Sequence, residues 1–197
     1  SDMCISDSSS AEGLAGQDGT TAVDLAGYMN EHFDHGLSWD DVAWLRTVWD
    51  GPILIKGIQT VADAKLAVEH GVEGIILSNH GGRQLDQAQG SLAVLPEIVE
   101  AVADRASVVV DGGFLRGTDV VKAMALGANL VALGRLTAMG LGAAGEEGLT
   151  RTIDLLAEEM HIAMCLMGKT RFLEITPDDL IAAQPGHPPD VLSAFPL

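Results

Sequence analysis

Four times between residues 53 and 133 a short apolar run gives way to a stretch with helical spacing, and this alternation constrains the fold more than any other feature. Ile53-Leu54-Ile55-Lys56 reads as a short buried strand, and Thr60 caps a helix that runs through His70 and stops at Gly71. Gly74–Ser78 is the second strand, followed by a helix near Pro96–Ala103 with Pro96 suited to its first turn. Ser107–Asp111 is the third, leading through Gly112-Gly113 to a helix near Thr118–Leu126 that ends at Gly127. Asn129–Leu133 is the fourth, leading to Gly134-Arg135, another helix, and a long amphipathic helix over about 149–167. Such repetition implies a parallel sheet with right-handed crossovers. An open sheet and a (β/α)8 barrel both fit. Four units are only half a barrel, which usually takes about 250 residues, so either strands are missing or the sheet closes with another chain.

The flanks differ from this body. Residues 1–37 are rich in Ser, Gly and Asp and read as a flexible segment or active-site loop, 38–183 as the strand–helix body, and 184–197, with four of the seven prolines, as an extended tail. Ser38 with Asp41 resembles a helix cap, with Val42, Leu45 and Trp49 on one face. Leu149, Ile153, Leu156, Met160, Ala163 and Met167 recur at helical spacing and are expected in the core. A short helix is expected after Pro177.

Charge and cysteine usage narrow the function classes. The net charge is −17, from 11 basic and 28 acidic residues, which argues against a nucleic-acid partner because phosphates would be repelled. Any anion site must be a local exception. Of the two cysteines, Cys165 lies in an apolar helical pattern and is expected as a small core residue, while Cys4 sits in a polar segment. No Cys/His cluster has metal-ligand spacing, so no metal site is expected. No run of roughly 18 apolar residues predicts a membrane span, and the polar, acidic start does not read as a signal peptide. A cytoplasmic location is the default expectation.

The chemistry-bearing residues fall after the strands. Ser78-Asn79-His80-Gly81-Gly82-Arg83-Gln84-Leu85-Asp86 leaves the second strand at its carboxyl end, where barrels place their active sites. An imidazole is the side chain suited to proton transfer near neutral pH, and a guanidinium can grip a carboxylate with two parallel hydrogen bonds. His80 and Arg83 therefore suggest a site for oxidising or rearranging a small organic acid. Lys56 ends an otherwise apolar strand, so its ammonium must reach water or an anion. Asp111-Gly112-Gly113 and Gly134-Arg135 each precede a helix; they read as a phosphate cradle or as tight turns.

These motifs resemble those of the FMN-dependent α-hydroxy acid oxidase/dehydrogenase family, which includes glycolate oxidase, lactate oxidase and mandelate dehydrogenase. The resemblance runs from about Leu37 to about Leu180 and rests on residues 38–45, Lys56-Gly57, residues 78–86, Asp111-Gly112-Gly113, residues 116–120 and Gly134-Arg135. It implies a TIM (β/α)8 barrel that holds FMN, with this chain as the C-terminal half, strands five to eight. His80 would be the active-site base and Arg83 would pair with the carboxylate of an L-2-hydroxy acid. Lys56 would stabilise negative charge on the N1/C2 side of the reduced flavin, and Ser78 would contact the flavin. Asp111 would bind the ribityl chain, while Gly112, Gly113, Gly134 and Arg135 would hold the phosphate. Either a hydride leaves the substrate while His80 takes the hydroxyl proton, or His80 takes the α-proton; the residues do not choose between them.

The chain departs from the family pattern in two ways. Leu115 stands where a phosphate-binding arginine is usual, Arg116 is adjacent, and Leu136 replaces a proline. The first four strands, with the substrate-side tyrosine, a second arginine and the aspartate that orients the histidine, are not in this sequence; Tyr28 is the sole tyrosine. The expected partner is a second polypeptide carrying the N-terminal half. The competing expectations are a non-catalytic barrel subunit that has lost FMN, and another phosphate-binding barrel such as a sugar-phosphate isomerase, which would explain the glycine loops but not the His/Arg motif.

Overall fold

The computed structural model describes residues 36–182; the expectations for Cys4, Tyr28 and the proline-rich tail lie outside them. Of these, residues 36–113 form one compact unit and residues 114–182 a second.

The first unit runs α1 (Asp40–Val48), β1 (Leu54–Ile58), α2 (Val61–Glu69), β2 (Gly74–Leu77), a 3-10 turn (His80–Gly82), α3 (Ser91–Val102) and β3 (Ser107–Asp111). The strands pair in parallel, with Lys56 opposite Ile76 and Ile76 opposite Val109. The sheet has two unlike faces. Ile75, Leu77, Val108 and Val110 are buried, as are Ala64 and Ala67 of α2 and Leu95, Ile98 and Val102 of α3, the helices that pack on the strands. Each large aliphatic side chain so buried contributes roughly 1.5–3 kcal/mol. On the other face Lys56 and Ile76 are only half-buried and Leu54 is exposed.

The amino ends of the strands are fastened by one ion pair. Arg46 of α1 donates to Glu73 Oε2 at 2.5 Å and to the Gly71 and Gly51 carbonyls, and the Ile53 N–H donates to the same Glu73 oxygen at 2.7 Å. These contacts tie α1 and the approach to β1 to the approach to β2, leaving the carboxyl ends free for other work.

Thr60 caps α2 as expected, its hydroxyl accepting from the Asp63 N–H at 3.0 Å. Other expectations need correction. β1 extends to Ile58 because a bulge at Gly57, with φ of 97°, absorbs one residue between Lys56 and Ile58. α3 begins at Ser91, so Pro96 lies inside the helix rather than in its first turn. Pro96 is exposed and gives up a single helical hydrogen bond, while the buried neighbours Val94, Leu95 and Ile98 hold the helix to the sheet. Trp49 is not on a buried face with Val42; its indole covers Gly51 and donates to the Pro52 carbonyl at 3.1 Å.

The second unit contains α4 (Gly117–Ala125), β4 (Leu130–Ala132), α5 (Arg135–Leu166) and 3-10 turns at Phe172–Glu174 and Pro177–Asp179. The segment after Pro177 is thus a 3-10 turn, short of a helix. The two helices expected after Gly134 appear as one element broken at Ala144 and Gly145. Glycines line the fold-back: a Cβ on Gly148 would meet the Gly140 carbonyl oxygen, and one on Gly140 would meet Thr152 Oγ1. Val121, Ala125 and Ile175 form the core here, with Met160, Ala163, Met164, Met167, Phe172 and Leu180 packed around them. Met160 and Met167, expected in the core from their spacing, are partly buried and pack against it. Ile153 is not part of it, being about half exposed. Cys165 is also exposed, with its Sγ 3.6 Å from Nε2 of His161.

Candidate active site

Three of the four polar positions expected at the strand ends meet in the first unit. Lys56 and Ile76 are register partners, Ile76 and Val109 likewise, and side chains two residues apart share a face. Ser78 and Asp111 therefore project on the same side as Lys56. Lys56 Nζ stands 3.0 Å from Asp111 Oδ2. The Ser78 hydroxyl donates to the same oxygen at 2.6 Å. The pair is half-buried, so it is screened less than a surface pair.

Ser78 also reaches the histidine loop. Its Oγ accepts from the His80 N–H at 3.1 Å, and Asn79 Oδ1 accepts from the Gly81 N–H at 3.0 Å. Together they hold His80 at φ of 55°, a left-handed conformation that a non-glycine residue adopts at a cost of ~1–2 kcal/mol. Strain of this kind is retained where the surroundings fix it and is a pointer to function. The imidazole lies over β1, its Nε2 3.2 Å from where a Cβ on Gly57 would stand. Neither ring nitrogen has a hydrogen-bond partner among the described residues.

Arg83 is exposed, and its Nε donates to the His80 carbonyl at 3.0 Å. Among the described residues its terminal nitrogens meet no carboxylate, so the fork is available to an incoming anion. The loop carrying it is pinned at the Gln89 carbonyl, which accepts from Gln59 at 3.0 Å and Asn79 at 3.3 Å. Just beyond, the Ser91 hydroxyl donates to the Asp111 carbonyl at 2.9 Å and ties α3 to the end of β3. Gln59, Gln89 and Ser91 were not singled out from sequence. Gly90-Ser91 ahead of an apolar helical pattern carried a start signal that Pro96 obscured.

Gly112 and Gly113 have φ of 97° and 84°, and among the described residues no atom beyond their own chain neighbours lies within 4 Å of where either Cβ would stand. Their backbone faces open space. In the second unit Gly134 is also open, and Arg135 is exposed in the first turn of α5. Arg116 is engaged elsewhere. Its guanidinium grips Glu159 of α5 at 2.7 and 2.8 Å, and the Gly117 N–H donates to the second Glu159 oxygen at 2.6 Å. Asp119 accepts from the Leu115 and Arg116 N–H groups. Carboxylates thus occupy the start of α4, where an anion could otherwise bind. Leu115 is exposed and brings no charge.

Comparison with known proteins places the chain among flavin-dependent relatives. A family model described as FMN-dependent dehydrogenase matches residues 2–182. The chain is 44% identical over 164 residues to an L-lactate dehydrogenase of Pseudomonas syringae pv. syringae (strain B728a), covering 83% of this chain and 43% of that protein. It is 50% identical over 149 residues to a peroxisomal (S)-2-hydroxyacid oxidase of Arabidopsis thaliana, covering 76% of this chain and 41% of the relative. Its structure superposes on a monotopic membrane protein, (S)-mandelate dehydrogenase, with a TM-score of 0.74 and 38% identity over 81% of this chain and 42% of that one. The chain therefore spans less than half the length of the relatives it matches. Among its described residues no helix is long and apolar enough to cross a membrane.

Proposed function

The chain belongs to the family of FMN-dependent dehydrogenases, and from that premise we propose that it supplies the C-terminal half of an FMN-holding (β/α)8 barrel that oxidises a small L-2-hydroxy acid to the 2-oxo acid. The observation that carries this reading is the convergence of Lys56, Ser78, His80 and Asp111 at the carboxyl ends of three neighbouring parallel strands.

The residues present suit the cofactor. The open backbone at Gly112 and Gly113 lets an anion approach the N–H groups, and Lys56 offers a cation beside the hydroxyl and carboxylate of Ser78 and Asp111. In this reading Lys56 would stabilise negative charge on the N1/C2 side of the reduced flavin and Ser78 would contact the flavin. Asp111 takes the ribityl hydroxyls, and Gly112, Gly113, Gly134 and Arg135 take the phosphate.

The bound flavin supplies a two-electron acceptor. The chain's own residues do the rest. Arg83 holds the substrate carboxylate with its guanidinium fork, which fixes the α-carbon. His80, whose ring nitrogens have no partner among the described residues, removes the proton that the acid must lose, either from the hydroxyl as the C–H pair departs as hydride or from the α-carbon. Lys56 stabilises the negative charge that arrives with the electrons. Each substrate loses two electrons and two protons, of which His80 keeps one.

The half-exposed face with Leu54, Lys56 and Ile76 supports the need for four further strands, because an apolar sheet face left in water is a liability. Those strands come from residues outside this sequence. The assembled protein should bleach its flavin with L-lactate or L-mandelate under anaerobic conditions. Substituting His80→Asn should keep the yellow cofactor and reduce the rate by 10²-fold or more, the order of general-base contributions. A colourless assembled protein, or an unaffected H80N rate, would overturn the assignment.

The second reading, a barrel subunit without flavin, draws on Leu115 and on the Glu159 grip that withdraws Arg116 and the Gly117 N–H from any phosphate. FMN titration of the assembled protein separates the two.

A further inference from the structure

We infer that Asp111 sets the electrostatic strength of Lys56, and through it the affinity of the flavin for electrons. This rests on the flavin reading above and adds to it a tuning role for a residue otherwise assigned only to the ribityl chain.

The argument is geometric. Among the described residues Lys56 is the cation paired with Asp111 at these strand ends, whereas Arg46 is spent on Glu73 at the opposite ends. Its Nζ stands 3.0 Å from Asp111 Oδ2, and the Lys56 side chain keeps 39% of its exposure, against 17% for Asp111. A fixed carboxylate that close cancels much of the positive potential Lys56 projects onto a neighbouring ring. The cancellation is itself graded. Ser78 donates to the same Asp111 oxygen at 2.6 Å and draws off part of its charge. Ser78 is buried, with 1% exposure, so this hydrogen bond is shielded from water. The main chain from which the carboxylate projects is held as well, the Ser91 hydroxyl donating to the Asp111 backbone carbonyl at 2.9 Å. The result is a serine–aspartate–lysine relay in which each group moderates the next. Asp111 acts on the chemistry through Lys56 and is a positioning residue in that respect.

Sulfite reports the effect without turnover. Its sulfur lone pair forms a bond to flavin N5, and the displaced electron pair settles on the N1/C2 carbonyl side. No electrons are exchanged with a third reactant, and the adduct bleaches the visible band. Its stability follows the positive potential at that side of the ring.

The experiment uses the assembled, FMN-loaded protein. Asp111→Asn keeps the shape and removes the charge, and should tighten sulfite by about tenfold, with a parallel rise in midpoint potential. Ser78→Ala should do the reverse, weakening sulfite several-fold, because the carboxylate then pulls harder on Lys56. Both shifts should vanish in a Lys56→Met background, which separates action through the lysine from direct contact with the flavin. Unchanged or weakened sulfite binding in D111N, or shifts that persist in K56M, would overturn the relay while leaving the flavin reading intact. If D111N fails to load FMN, S78A alone decides: no weakening of sulfite overturns the inference. Failure of the unsubstituted protein to bind FMN would remove both.

Discussion

The His80 imidazole rests directly over Gly57, with its Nε2 3.2 Å from the place a Cβ would occupy. Gly57 is also the bulged residue of β1, at φ of 97°. Both facts require glycine there. Gly57→Ala should push the imidazole off its position and strain the bulge. We expect a folded protein that keeps FMN and turns over at about a tenth to a hundredth of the normal rate, since displacements near 1 Å cost up to ~10²-fold. Steady-state kinetics with a flavin absorbance ratio check it; an unaltered rate would mean His80 is not held against β1.

Leu115 and Glu159 make a second prediction, about phosphate. Arg116 is held by Glu159 at 2.7 Å and is not available to an anion. Arg116→Ala should therefore leave the FMN dissociation constant within about twofold. Leu115→Arg adds a charge at an exposed position and should tighten FMN by about tenfold, in line with ~1.5–3 kcal/mol for a charged hydrogen bond. Fluorescence titration of FMN measures both. Large weakening by R116A would show that the Glu159 pairing opens to admit the phosphate.

Acid should loosen both units. The Ile53 N–H, and after it Arg46, hold the Glu73 carboxyl below its ordinary value of 4.5. The Thr170 N–H and Arg171 do the same for Glu174, and the Thr176 N–H and Lys169 for Asp179. A depressed carboxyl stabilises the fold above its unfolded value, and that stability is lost as pH falls through the folded value. Denaturant midpoints should be flat above about pH 5 and fall below about 4.5. Glu73→Gln should be less stable than the parent at pH 7, with the gap closing as pH drops toward 3. A gap that stays constant with pH would show that Glu73 contributes packing rather than charge.

Much of the first unit was legible because its signals are local. Thr60 and Asp63 lie three residues apart, Gly71 follows its helix directly, and Ser107–Asp111 is three valines between two polar residues. The cluster of Lys56, Ser78, His80 and Asp111 was legible for a related reason: strand ends of parallel sheets converge, so polar residues after successive strands must share a rim. What could not be read depended on contacts distant in sequence. Glu159 meets Gly117 across 42 residues, and no local pattern marks a carboxylate as the partner of a helix start elsewhere. Cys165 was misplaced because α5 is apolar on more than one side, with Ile162 and Leu166 exposed beside it. Periodicity alone does not say which side another element covers. Pro96 misled by its preference for first turns, although buried neighbours override that preference here.

Gly117 supplies the last prediction. A Cβ at this position would stand 2.6 Å from the Leu156 carbonyl oxygen, the Met160 nitrogen and the Glu159 Cβ. Two of these are backbone atoms inside a helix and cannot rotate aside. Gly117→Ala must therefore part α4 from α5 and stretch the Gly117 N–H to Glu159 hydrogen bond, now 2.6 Å. Overpacking of this kind typically costs ~1–3 kcal/mol, and the weakened bond to a charged group adds to it. The loss should be confined to the second unit, because the contacts broken all lie beyond Phe114. Hydrogen exchange should show faster exchange in α4 and α5 with β1 to β3 unaffected. Gly57→Ala should show the opposite pattern: normal protection in α4 and α5, with the change limited to β1 and the His80 turn. If G117A leaves α4 and α5 as protected as before, the close approach of these helices at Glu159 is wrong, and Arg116 is then free to serve an anion.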